Sequence, residues 1–152
     1  MTIGIIYYST YGSTFALAQH IAAGVAAADA GQDAVLRRVH ELMPDDRLDE
    51  NARATVGAQS EVEYADVDEL ITFDGLIIGS PTRFGNRHHG MVVVPLGHVA
   101  DELQSTRTGG GPYGPTHFPP TDGSKTGLSD DEIAIGIAYG RQFAKVAAKL
   151  AA

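Results

Sequence analysis

Apolar positions change their period along this chain, and each change marks an element. Thr2 to Tyr8 (TIGIIYY) is an apolar run of strand length, rich in β-branched and aromatic residues, as a pleated buried segment favours. From Phe15 the apolar residues fall at helical spacing, through Leu17, Ala18, Ile21, Ala22 and Val25. Ala30-Gly31-Gln32-Asp33 reads as a turn, and Ala34 to Val39 (AVLRRV) as a short second strand. Glu41 to Gln59 is polar and holds Pro44, Asp45 and Asp46, which predicts a long surface loop. Asp66 to Ile71 predicts a short helix with Val67, Leu70 and Ile71 on one face. Phe73 to Gly79 (FDGLIIG) is a third strand, continuous enough to suit a parallel strand covered on both faces.

Met91 to Pro95 (MVVVP) is the next strand candidate, and Gly97 to Gly127, rich in Gly, Pro, Thr and His, predicts loop. Ser129-Asp130-Asp131-Glu132 has the form of a capping box. It opens a final helix through Ile133, Ile135, Ile137, Tyr139, Phe143, Val146 and Leu150, with Lys145 and Lys149 in turns that suit the helix dipole. Strands alternating with helices predict an α/β fold, a doubly wound parallel sheet in one domain over residues 1–152, without repeats.

Composition narrows the function classes. A formal net charge of −8 over 152 residues argues against nucleic acid or an anionic membrane surface as partner. Cysteine is absent, which removes disulfides, thiolate catalysis and thiolate metal sites. The opening apolar run has no basic segment before it and is too short for a signal peptide or a membrane span. A cytoplasmic protein without membrane insertion is the expectation.

Ser9-Thr10-Tyr11-Gly12-Ser13-Thr14 stands between the first strand and the first helix. The first amides of a helix lack internal partners and carry the positive end of the dipole, so such a turn forms an anion pocket. Four hydroxyl-bearing Ser and Thr side chains add donors. No lysine is present, so this is not a Walker A loop, and Gly12 is the only glycine, so it is not G-x-G-x-x-G. The plainer reading is that the segment caps the helix. Ser80-Pro81-Thr82-Arg83-Phe84-Gly85-Asn86 follows the third strand. Ligands of open α/β sheets sit beyond the carboxyl ends of the strands, so the two segments are expected to converge there. Adjacent His88 and His89 do not share one ion easily, and no acidic partner has matching spacing, so no metal is expected. There is no G-x-S-x-G elbow, and His20, His40, His98 and His117 have no constellation around them.

Five ordered stretches resemble the WrbA family of flavodoxin-like NAD(P)H:quinone oxidoreductases. They are Tyr7-Tyr8-Ser9-Thr10-Tyr11-Gly12, Val39 to Pro44, Gly79 to Asn86, His88 to Gly97, and Gly109 to Gly114 with Asp122-Gly123-Ser124. The resemblance implies FMN as cofactor, its phosphate held by Ser9, Thr10, Tyr11, Gly12, Ser13 and Thr14. It places Pro81, Thr82, Arg83, Phe84, Gly85 and Asn86 along the flavin, with Arg83 able to stabilise a reduced flavin anion. It places His88 beside the flavin on the quinone side as the catalytic residue, and Tyr11 toward the nicotinamide. Hydride passes from NAD(P)H to FMN and two electrons pass to a quinone in that family, within a homo-oligomer whose sites draw on neighbouring chains.

The chain departs from that family at one place. The family's fourth strand, its Thr/Gly-rich flavin loop and two flanking helices lie between the F-G-N and H-H-G motifs. Here only Arg87 separates Asn86 from His88, and the chain has no Trp. The expected sheet is therefore shortened by a central strand. Parallel neighbours need a crossover of about a dozen residues or more, which Ser80 to Gly90 hardly supplies. Met91–Pro95 then pairs antiparallel or lies elsewhere, or two chains exchange elements, or the sequence joins parts of a longer one. Besides the quinone reductase, two readings stay open. One is a non-catalytic flavodoxin-like remnant that binds a partner or itself through an exposed third strand. The other is a one-electron FMN carrier.

Overall fold

A computed structural model describes residues 1–28, 31–81, 94–98, 100–118 and 127–150. In chain order the elements are β1 (Thr2–Tyr7), α1 (Ser13–Ala26), β2 (Asp33–Arg38), α2 (Glu50–Gly57), α3 (Val67–Leu70), β3 (Gly75–Gly79), α4 (Glu102–Ser105) and α5 (Asp130–Leu150). The three strands form one parallel sheet in the order β2-β1-β3. Ile5 stands opposite Leu36 on one side and Ile77 on the other. The chain is thus α/β with a small parallel sheet.

Strand alternation sends Ile3, Ile5 and Tyr7 of β1, with Ile77 of β3, to one face. There they meet Leu17, Ala18, Ile21 and Val25 of α1 and Phe143, Ala144 and Ala147 of α5. The two helices touch along their backbones. A Cβ added to Gly24 would collide with the carbonyl of Ile137, and one added to Gly140 with the carbonyl of Ile21. The side chain of Gln32 crosses to α5, its Nε2 donating to the carbonyl of Ala144 at 2.8 Å. On the other face the ring of Phe73 lies where a side chain at Gly4 would stand.

Several expectations change. The polar stretch Glu41–Gln59 is not all loop: it holds a 3-10 turn at Asp45–Arg47 and the helix α2. Asp49 starts α2, its carboxylate accepting from the amide of Ala52 at 2.7 Å, as an N-cap Asp does. Leu48 and Ala52 are buried beneath it. The expected apolar face of α3 is not buried: Val67 is 77% and Ile71 88% exposed. β3 is covered on one face only, Ile77 being buried while Ile78 is 52% exposed. Within the expected loop Gly97–Gly127 lies α4. Of the strand candidate Met91–Pro95, Val94 and Pro95 are not in a strand and the rest falls outside the described residues. Thr82 to Asn86 and His88 also lie outside them. No helix among the described residues is long and apolar enough to cross a membrane.

Tyr7 carries a prediction. It is fully buried, stacked on Phe15 with ring centroids 5.4 Å apart, and its hydroxyl has no hydrogen-bond partner among the described residues. Burial pushes its phenol up to about 12, against a smaller downward pull from Arg38. A raised folded-state value means the unfolded chain releases this proton first. The stability is therefore full below the ordinary tyrosine range and is lost as pH rises toward about 12. Tyr7→Phe removes an unsatisfied buried hydroxyl, so stability should rise by roughly 1 kcal/mol at neutral pH. The alkaline loss between pH 10 and 12 should also shrink, as read by urea unfolding across pH. A variant less stable than the parent at neutral pH would show that the hydroxyl has a partner.

Candidate functional site

The turn after β1 is fixed by a polar network below it. Thr10 is buried, and its hydroxyl donates to Tyr8 Oη at 3.2 Å. Tyr8 Oη donates to Glu41 Oε1 at 2.5 Å, and the amide of Met43 donates to the same oxygen at 2.8 Å. Burial alone would raise the Glu41 carboxyl. Hydrogen bonds, led by those from Tyr8 and the Met43 amide, together outweigh it and hold the group below its ordinary value, so it is ionised at neutral pH. From the side, Gln59 Nε2 donates to the carbonyls of Ser9 and Thr55, each at 3.0 Å.

Gly12 ends the turn with φ 88 and ψ −20, a left-handed conformation that glycine takes without strain. α1 begins at the next residue. Of its first amides, that of Phe15 is met by Ser9 Oγ at 3.2 Å. Those of Ser13 and Thr14 have no partner among the described residues. The six residues expected as one anion site therefore divide. Ser9 and Thr10 are committed to the scaffold, Gly12 shapes the turn, and Tyr11 is exposed with its hydroxyl 3.5 Å from Asp49 Oδ2. Ser13 and Thr14 face a cavity.

That cavity, about 420 Å³, lies between α1, the end of β3, the segment 111–117 and α5. Its apolar wall includes Ile5, Leu17, Ile21 and Ile77, and its polar atoms come from Ser13, Thr14, Ser80, Thr116 and His117. Pro81 also lines it, so the first two residues after β3 stand beside the start of α1 there; Ser9 to Gly12 are not among the lining residues. No lysine or arginine is among its described lining residues. The donors that the described residues offer an anion here are amides, hydroxyls and the helix dipole. The volume falls in the range of small-molecule sites. Tyr139 of α5 completes the wall. Its hydroxyl donates to the carbonyl of Val94 at 3.3 Å, and burial keeps the phenol above its ordinary value.

His117 is the residue the sequence reading passed over. Its Nδ1 is 3.0 Å from Glu132 Oε1 and 3.1 Å from Oε2, and the two side chains are only 7% and 1% exposed. Glu132 is the acidic member of the capping box. Ser129 N donates to its Oε2 at 2.8 Å, and its own amide donates to Ser129 Oγ at 3.2 Å. The box was legible as S-x-x-E, but the pairing with His117 is tertiary and leaves no local signal.

No family model matches the chain.

Proposed function

We propose that this chain is an FMN-dependent NAD(P)H:quinone oxidoreductase of flavodoxin-like type, its FMN phosphate held at the first turn of α1. The supporting observation is that Ser13 and Thr14, whose amides have no partner among the described residues, line a cavity of about 420 Å³ beside the end of β3. In a doubly wound sheet of order β2-β1-β3, ligands bind at the switch point between the ends of β1 and β3. The same reading takes in the doubly wound arrangement, a homo-oligomer and a cytoplasmic location.

Among the described residues, those at the start of α1 fit a phosphate group through neutral donors. Ser13 and Thr14 would bind it through two amides and two hydroxyls. Gly12 aims those amides, and Ser9, Thr10, Glu41 and Gln59 keep the turn from relaxing. When bound, FMN supplies the two-electron hydride chemistry, and the protein supplies position and electrostatics. Leu17, Ile21 and Ile77 give the cavity a dry wall. Thr82 to Asn86 and His88 keep the roles that the family resemblance implies for them. NADH- or NADPH-dependent reduction of a benzoquinone by the FMN-loaded chain tests the activity. Turnover that requires FMN is expected, and FMN binding without turnover would leave the one-electron carrier.

A second reading has its own observation. β3 ends the sheet among the described residues, and Ile78 on it is half exposed. A non-catalytic module that self-associates through this strand predicts concentration-dependent oligomers that are indifferent to FMN.

A further inference from the structure

We propose that the cavity takes an aromatic molecule bearing a phenolic hydroxyl, with His117 receiving that hydroxyl and Glu132 positioning His117. The inference rests on the reading above only in placing a ligand in this cavity; it does not require FMN. It starts from the buried pair. A carboxylate only accepts, so the ring nitrogen facing Glu132, Nδ1, carries the hydrogen, and the neutral ring is left with Nε2 as an acceptor. Nε2 has no hydrogen bond among the described residues, and His117 lines the cavity. The complement of a lone acceptor at an apolar wall is an O–H on a flat apolar body, which is a phenol.

The pair is held too firmly to be a loop histidine resting on a helix cap. Thr106 Oγ1 donates to the carbonyl of Gly109 at 2.7 Å, and the amide of Gly110 donates to Thr116 Oγ1 at 2.8 Å. Gly109 is so closely packed that a Cβ there would collide with the carbonyl of Thr116 and with Glu132 Oε1. Two tyrosines also line the cavity: Tyr139 spends its hydroxyl on Val94, and Tyr113 is 91% exposed, its side chain largely in solvent. Orientation of a histidine by a carboxylate on its far nitrogen is the usual way to fix which tautomer faces a ligand.

Isothermal titration of the full chain with 1-naphthol and with naphthalene tests this. One-to-one binding of 1-naphthol about tenfold tighter than naphthalene is expected, the hydroxyl being worth one hydrogen bond at a buried acceptor. His117→Phe should bind both equally. Glu132→Gln keeps a capping box and should keep the helical circular dichroism. It should lose both the preference and the Nδ1–H tautomer that 15N NMR is expected to report for the wild-type ring. Equal binding of the two probes by wild type, or an unchanged preference in either variant, would overturn the proposal. FMN binding is measured on the same samples. Its loss beside an intact preference would overturn the FMN reading alone, and FMN binding without a preference would overturn this one alone.

Discussion

Gly12→Val is expected to weaken FMN binding by roughly a hundredfold or more while the fold survives. The backbone at Gly12 has φ 88, a region that a β-branched residue occupies only at a cost of about 1–2 kcal/mol. Its Cβ would also stand 2.8 Å from the Thr55 methyl, a side-chain atom that can shift. The chain would accommodate valine by returning φ to negative values. That rotation turns the Ser13 and Thr14 amides out of the cavity. Each hydrogen bond to a charged group is worth about 1.5–3 kcal/mol, so losing two amounts to at least a hundredfold in the dissociation constant. The readouts are flavin fluorescence quenching for affinity and far-ultraviolet circular dichroism for the fold. Unchanged affinity would remove this turn from the site.

Gly140→Val should be the most damaging single change to stability. In an exposed helix, replacing glycine usually helps, since glycine costs about 1 kcal/mol there. At Gly140 the sign reverses, because the added carbon meets the carbonyl of Ile21, with the amide of Val25 at 2.9 Å. These are backbone atoms of α1 and cannot turn aside. The helices must separate, opening the core that Ile21, Val25, Phe143 and Ala144 share. Overpacking of this kind costs about 3 kcal/mol or more, which is a fall of roughly 10 °C in Tm for a chain of this size. Gly57→Ala is the control. Nothing lies within 4 Å of a Cβ at that position, so its melting temperature should hold or rise slightly. Equal melting temperatures for the two variants would show that α1 and α5 do not pack closely at this crossing.

The elements legible in the sequence were those whose period was set by the core. Ile3, Ile5 and Tyr7, and likewise Leu17, Ala18, Ile21 and Val25, are spaced as they are because one face of each element meets α5. Where burial is slight the pattern misleads. Val67 and Ile71 look like one apolar face but stand in solvent. α2 hides behind Pro44-Asp45-Asp46, although Asp49 caps it. Ile78 reads as core because composition does not reveal that one face of β3 is open. Inside the site the limit is sharper. Ser9, Thr10, Ser13 and Thr14 offer the same chemistry in sequence. Only the path of the chain commits the first two to Phe15 and Tyr8 and turns the last two to the cavity. His117 and Glu132 are 15 positions apart on a loop and a helix, and nothing short of the folded chain joins them.

The first experiment is a titration of FMN with the purified full chain, followed by quenching of flavin fluorescence, with riboflavin as the comparison. An amide-held phosphate site on Ser13 and Thr14 predicts one-to-one quenching by FMN and binding of riboflavin weaker by about a hundredfold, since riboflavin lacks the phosphate that those two amides would hold. Equal affinity for the two flavins, or no quenching with either, would contradict a phosphate site at the start of α1.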